Sequence, residues 1–190
     1  MKTYIYFIRH AISPFTLDNE QYRGLSEQGK LDSRQVADLL KNEGIDVIVS
    51  STFARAIDTV RPLADILGKE IVQYEELAER AIASIKNEIA EVDLLRGIER
   101  SFVDIDYCML EGETTRQAQQ RSIPIINKLI IENKGKKIAI GTHGNIMTII
   151  LNYFEKNYGY EFWAQTSKPD IYKLEFEEMD LKHVERLWKS

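Results

Sequence analysis

The 190-residue chain has three histidines, and two of them, His10 and His143, each follow a short apolar, β-branched run, Thr3 to Ile8 (TYIYFI) and Lys137 to Gly141 (KIAIG). In an open α/β sheet ligands bind outside the carboxyl ends of the strands, so this placement turns both imidazoles toward one crevice. Arg9 stands directly before His10, and Arg55 follows the segment VIVSS at the start of an expected helix. Guanidinium forks match phosphate oxygens, and a phosphoryl group in flight needs positioning and electrostatic stabilisation. The residue types therefore suit phosphoryl transfer: His10 attacks in line as a neutral imidazole, its other ring nitrogen held by a hydrogen bond, while Arg9, Arg55 and a protonated or donating His143 hold the oxygens. This chemistry calls for no metal and no cofactor. An Arg-His pair after a strand is common, and chance is the competing account of each histidine alone.

These residues need strands to carry them and helices to cover the strands. Thr3 to Ile8 reads as a central strand covered on both faces. Ser26 is a plausible N-cap for a helix reaching Asn42, with Gly44 as its stop, and Val47 to Val49 reads as a second buried strand. A helix over Phe53 to Leu67 ends at Gly68 and is expected to kink at Pro62, with a short strand over Glu70 to Val72 after it. A helix over Thr115 to Glu132, the KIAIG strand, a helix over Asn145 to Phe154, and late antiparallel strands at Asp170 to Phe176 and Lys182 to Trp188 complete the pattern. The alternation predicts a three-layer α/β/α sandwich with a mainly parallel sheet and an antiparallel edge strand, in one domain over residues 1–190. Residues 80–112 have mixed charge and weak periodicity, and are expected as an insertion, helical in part, that forms a lid over the site.

Composition narrows the partners. With 44% hydrophobic residues the chain can bury a sizeable core, and its net charge of -5 argues against general affinity for nucleic acid or anionic membrane. An anionic substrate must then be held by a local cluster of cations. The lone Cys108, the absence of a leader pattern in MKTYIYFIRH and the lack of a long apolar run predict a cytoplasmic protein that does not span a membrane. Cys108 reads as a small hydrophobe, His183 as an edge-strand residue, and the aromatic run from Tyr153 to Trp163 as packing. Oligomeric state is left open, a homodimer included.

Together the segments FIRHAIS, SSTFARAIDT, LAE, EGET and GTHGN, in this order, resemble the histidine phosphatase superfamily, which includes cofactor-dependent phosphoglycerate mutases and many small phosphatases. The resemblance implies that His10 is the phosphorylated nucleophile and that Arg9, Arg55 and His143 form the phosphate pocket, with Gly144 and Asn145 beside it. It implies that Ser13 contacts phosphate and that Glu79 donates the proton, with Glu113 either sharing that role or orienting the pocket. The chain departs from the family pattern at Ala11, where a glycine is usual, at Ile12, and at Thr16, which replaces a frequent phosphate-contacting Asn. Arg23 and Arg80 adjoin these segments and are read as substrate-side cations, with ordinary surface arginines as the rival account. The expected activity is a phosphomonoesterase acting on a small phosphorylated metabolite. A phosphoglycerate mutase and a noncatalytic module that binds phosphorylated ligands are its alternatives.

Overall fold

A computed structural model of the chain describes residues 1–15, 19–83 and 89–189. Six strands form one sheet: β1 (Lys2–Arg9), β2 (Val47–Ser50), β3 (Ile71–Gln73), β4 (Lys137–Thr142), β5 (Asp170–Glu177) and β6 (Asp180–Arg186). Their order is β3-β2-β4-β1-β5-β6, with the first four mutually parallel, β5 antiparallel to β1 and β6 antiparallel to β5. Helices α1 (Glu27–Leu40), α2 (Ala54–Leu67), α3 (Glu91–Val103), α4 (Thr115–Glu132), α5 (Gly144–Phe154) and α6 (Tyr160–Gln165) surround it. The expected α/β layering and antiparallel edge are both present. The short helix α6 occupies the aromatic run, whose Phe162 packs on Tyr172 and whose Tyr158 packs on Phe162.

Strand alternation builds two cores. Along β1, Ile5 and Phe7 face one way, onto Ile138, Ile140 and the apolar sides of α4 and α5. Tyr6 and Ile8 face the other, onto Val36 and Leu40 of α1 and Val60 and Leu63 of α2. Each is fully buried, and burial of one such side chain contributes about 1.5–3 kcal/mol. Such coverage of both faces is what an apolar, non-alternating strand requires.

Local signals set the helix ends. The Ser26 hydroxyl accepts the Gly29 amide at 3.0 Å to cap α1, and the Ser26 amide donates to the Ile12 carbonyl at 2.9 Å, so the loop after β1 is fastened to the start of α1. At the other end of α2, Gly68 adopts the left-handed conformation at φ 62° and closes the helix. Thr114 and Gln117 form a reciprocal capping box on α4.

Residues 80–112 leave and rejoin the body at one place. The Met109 amide donates to the Ile82 carbonyl at 3.1 Å, and the Glu113 amide to the Ala81 carbonyl at 2.7 Å. A Cβ on Gly112 would stand 2.0 Å from the Ile82 carbonyl oxygen, so this closure needs glycine. Within the segment α3 supplies the expected helical part. The buried Arg80 ties it down: Nη1 donates to Thr115 Oγ1 on α4 and Nη2 to Ser101 Oγ on α3, both at 2.9 Å. Burial lowers the Arg80 pKa to about 10, with the charges of Glu79 and Glu113 acting against it.

A buried guanidinium bonded to neutral groups stabilises chiefly through its packing, because the desolvation cost of the charge offsets the hydrogen bonds. Arg80→Ala should therefore lower the unfolding free energy by about 2–4 kcal/mol, and Arg80→Met should recover most of that loss. Chemical denaturation of the two variants decides it: equal losses would mean that the guanidinium contacts themselves hold α3.

Candidate active site

The parallel pairing of β1 with β4 sets Arg9 opposite Thr142, and the residues that follow each strand are His10 and His143. The His10 amide continues the ladder to the Thr142 carbonyl at 2.9 Å, and the two imidazole centroids lie 5.3 Å apart. Both side chains are buried. His10 Nδ1 lies 2.8 Å from the Ala11 carbonyl oxygen, and a carbonyl can only accept. Nδ1 therefore carries the proton, and Nε2 keeps its lone pair. The Ala11 amide donates to Thr59 Oγ1 at 3.0 Å, while the Thr59 hydroxyl donates to the Arg55 carbonyl at 2.7 Å, so α2 holds the His10 loop in place. His143 Nε2 shares a 2.7 Å hydrogen bond with Ser51 Oγ, and its buried Nδ1 has no partner among the described residues.

Three arginines converge here. Arg9 Nη1 donates to the Thr166 carbonyl at 3.0 Å and to the Thr166 hydroxyl, and its guanidinium lies against Gly144, where a Cβ would come within 2.6 Å of Cζ. Arg55, 1% exposed, donates from Nη1 to the Glu20 carbonyl at 2.7 Å and pairs through Nη2 with Glu20 Oε1 at 2.8 Å. Its guanidinium stacks 4.8 Å from the centroid of Phe53, whose ring also meets His143 edge-on. Burial lowers the Arg55 pKa to about 10, and it remains a cation at neutral pH. Arg23 grips the same carboxylate, through Nε at 2.7 Å and Nη2 at 3.0 Å, so Glu20 bridges Arg23 and Arg55.

Glu79 reaches the same end of the sheet from the turn after the 3-10 helix Glu75–Leu77. Its Oε1 accepts the amides of Ile146 at 2.9 Å and Arg80 at 3.0 Å, and its Oε2 accepts the amide of Asn145 at 3.2 Å. The carboxylate thus sits at the amino end of α5, next in space to His143. Asn145 has a buried Oδ1 with no partner among the described residues. Glu113 stands elsewhere, its two oxygens taken by Arg121 Nε at 2.6 Å and Nη2 at 2.9 Å. A cavity of about 760 Å3 is lined by Phe53, Glu75, Glu76, Glu79, Glu111 and Glu113, and it meets the site at Glu79 and at Phe53, whose ring packs on His143.

Of the remaining expected residues, Ser13 directs its hydroxyl to the Gly24 carbonyl at 2.6 Å and accepts Arg23 Nη1 on its own carbonyl at 3.2 Å, so it shapes the loop after β1. Thr16 lies outside the described residues. Arg80 is corrected: its backbone amide touches Glu79, but its guanidinium runs into the packing between α3 and α4 and not toward substrate. Ser51, Thr59, Glu20, Thr166 and Phe53 were not singled out from the sequence. Ser51, Phe53 and Thr59 lie inside the segment SSTFARAIDT, where only Arg55 drew attention, whereas Glu20 and Thr166 carry no local signal and are found through the sheet and the arginines. Among the described residues no group of three or more His, Cys, Asp or Glu side chains is arranged to hold a metal ion.

Burial, above all, pushes the pKa of both imidazoles well below the ordinary histidine value, and the charges of Arg55 and Arg9 add to the effect at each. The Ala11 carbonyl opposes it at His10 without reversing it. Both rings are neutral at neutral pH, which favours the donating form of His143 over the protonated one. Because the charged form is disfavoured, both should stay neutral as pH falls through the usual histidine range. Histidine ring shifts followed by NMR from about pH 7.5 to about pH 6 should show no titration of His10 or His143. A midpoint near the ordinary value for either would contradict the burial argument.

The family model described as histidine phosphatase superfamily (branch 1) matches residues 5–187. No curated protein matches the sequence at a significant level. Among solved structures, a mycobacterial glucosyl-3-phosphoglycerate phosphatase in complex with inorganic phosphate aligns over 98% of this chain and 97% of its own, with TM-score 0.77 and 16% identity. A phosphoserine phosphatase from Entamoeba histolytica in complex with phosphoserine aligns over 96% of each chain, with TM-score 0.75 and 19% identity. YhfR from Bacillus stearothermophilus aligns over 95% of this chain and 94% of its own, with TM-score 0.75 and 19% identity. At these identities the neighbours show a shared fold, and the match over residues 5–187 shows that the chain belongs to the histidine phosphatase superfamily, branch 1.

Proposed function

We propose that the protein hydrolyses phosphomonoesters of small metabolites by passing the phosphoryl group first to His10 Nε2 and then to water. The observation that carries this reading is the bond from His10 Nδ1 to the Ala11 carbonyl, which leaves Nε2 as an unprotonated nucleophile among Arg9, Arg55 and His143. In the first step the Nε2 lone pair forms the N–P bond as the bond from phosphorus to the leaving oxygen breaks. Glu79 in its acid form gives its proton to that oxygen. In the second step water attacks phosphorus, Glu79 takes the water proton, and the N–P electron pair returns to Nε2. Proton and charge are restored over one turnover. Arg9 and Arg55 oppose the charge on the equatorial oxygens throughout, with a hydrogen-bond donor from His143.

The acidic cavity at Glu79 favours hydrolysis over phosphoglycerate mutase chemistry. It is walled by Glu75, Glu76, Glu79, Glu111 and Glu113, with Arg121 committed to Glu113. A bisphosphorylated glycerate is a polyanion that such a wall repels, whereas a leaving group bearing hydroxyls or an amine is accepted. A noncatalytic binder of phosphorylated ligands has no use for a tautomer that exposes Nε2. Glu79 is the better proton donor because it adjoins His143 through the start of α5, while Glu113 is held in both oxygens by Arg121. The lone Cys108 fits a reducing, cytoplasmic setting. No helix among the described residues is long and apolar enough to cross a membrane.

Trapping decides the nucleophile. Acid quenching during turnover of a labelled phosphomonoester should yield an acid-labile phosphoenzyme in the natural protein and none in His10→Ala, with loss of nearly all turnover. A His10→Ala variant that turns over normally would end the reading. The proton donor is tested by the leaving group, since an alkoxide needs a proton as it departs and p-nitrophenolate does not. Glu79→Gln should slow alkyl phosphate hydrolysis by roughly 10²-fold to 10⁴-fold and p-nitrophenyl phosphate hydrolysis far less. The same pattern in Glu113→Gln instead would move the role to Glu113.

A further inference from the structure

The antiparallel β5 brings a segment to the crevice that no parallel strand supplies. Asp170, its first residue, lies opposite Arg9, the last residue of β1, so the turn before β5 stands at the same end of the sheet as His10. That turn is clamped along its length. Thr166 accepts Arg9 Nη1 on its carbonyl at 3.0 Å and directs its hydroxyl to the Trp163 carbonyl at 2.7 Å. The Ser167 amide donates to Asp170 Oδ2 at 3.0 Å, and the Ser167 hydroxyl to the Pro169 carbonyl at 2.6 Å. Asp170, fully buried, also takes Arg186 Nε at 2.9 Å and the Tyr172 hydroxyl at 3.1 Å. In the middle of this fixed turn is Lys168, whose ammonium makes no hydrogen bond and no ion pair among the described residues.

Its surroundings are charged. Desolvation and the neighbouring cations Arg9, Arg23 and Arg55 lower the Lys168 pKa, with Glu79 acting against them, and the Lys168 charge in turn disfavours protonation of His10. An extended, solvent-reaching lysine ordinarily turns its ammonium away from three guanidiniums. Here the clamped turn holds the exposed Lys168 two residues from Thr166, the partner of Arg9, and two residues from Asp170, which lies opposite Arg9. Arg9, Arg23, Arg55 and Lys168 thus act on one another at one end of the sheet, where an anion would be drawn to all four. Arg23 and Arg55 share a carboxylate already, so of these four cations Lys168 and Arg9 have no ion pair among the described residues.

We propose that Lys168 is a further substrate-binding residue, whose ammonium contacts the non-bridging oxygens of a phosphoryl group seated between Arg9 and His10. This rests on the reading of the crevice as a phosphate site, and not on the identity of the nucleophile. The loop that leads into the antiparallel strand thus completes a pocket whose other members all follow parallel strands or lie on the loops behind them.

Inorganic phosphate is the probe, titrated by calorimetry at low ionic strength into the full chain. The natural protein should bind it, and Lys168→Gln should bind it at least about tenfold more weakly, the loss expected for one charge-assisted contact. Lys168→Arg should stay within about threefold of the natural protein if charge is what matters. Thermal unfolding of the phosphate-free variants should match the natural protein, because the side chain holds nothing in the fold. Phosphate binding undiminished in Lys168→Gln overturns the assignment. So does an equal loss in Lys168→Gln and Lys168→Arg together with a lowered unfolding temperature in both, which would make the residue a scaffold of the turn. Failure of the natural protein to bind phosphate would overturn the phosphate site itself, whereas failure to trap phosphohistidine with these affinities intact would leave Lys168 in place and remove only the nucleophile.

Discussion

The hydrogen bond from His10 Nδ1 to the Ala11 carbonyl is the constraint on which the remainder of the site depends. A histidine among arginines is useful as a nucleophile only while it is neutral and presents a lone pair to the crevice. Burial and the neighbouring guanidiniums secure the first condition, and the carbonyl secures the second. The carbonyl can act only if the chain turns sharply at Ala11. Thr59 on α2 holds that turn through the Ala11 amide, and Ser26 at the start of α1 fastens the next residue, Ile12. Two helices on one face of the sheet are therefore committed to the orientation of one imidazole. The fully buried Ala11 side chain is accommodated in this turn without loss of the bond, so the departure from the usual family glycine leaves the tautomer intact.

Charge is arranged with the same economy. Burying Arg9 and Arg55 is costly unless each finds partners, and the partners chosen leave part of each guanidinium uncommitted. Arg9 is met by a neutral carbonyl and hydroxyl at Thr166, which orient it without neutralising it. Arg55 is met by Glu20, but that carboxylate is shared with Arg23, so the pair of arginines keeps a net positive charge. The Nε atoms of both Arg9 and Arg55 lack partners among the described residues. Gly144 has a steric role in this arrangement, since any larger residue would displace the Arg9 guanidinium. In the resting site the cations are prepositioned for an anion, which is the condition under which electrostatic stabilisation needs no reorganisation during the reaction.

Much of this was legible in the sequence because the fold uses strong local signals. The apolar runs at β1 and β4, the Ser26 cap, the Gly68 stop and the spacing of His10, Arg55 and His143 all act over a few residues, and each is found where its chemistry requires it. What was not legible depends on contacts across the sheet. Arg80 neighbours Glu79 in sequence, yet its guanidinium is bonded to Ser101 and Thr115, 21 and 35 residues away. Glu113 belongs to a motif-like segment, but Arg121, two turns along α4, engages both oxygens of its carboxylate. Glu20 and Thr166 are unremarkable residues in unremarkable stretches, and only the position of the arginines gives them a part.

The reversed strand explains the largest gap between pattern and site. Reading outward from the carboxyl ends of parallel strands finds the groups that follow β1, β2 and β4, because all those strands run toward the crevice. A strand of opposite direction reaches the same crevice with its amino end, and the residues that matter there precede it. The buried Asp170, bonded to Ser167, Tyr172 and Arg186, turns that reversed end into a rigid platform beside Arg9. The parallel half of the sheet thus carries His10, Arg9 and His143, while the antiparallel half carries the loop whose Thr166 orients Arg9. Mixed strand direction lets two strand ends of opposite polarity meet at Arg9, one supplying the guanidinium and the other the neutral acceptors that orient it without neutralising it.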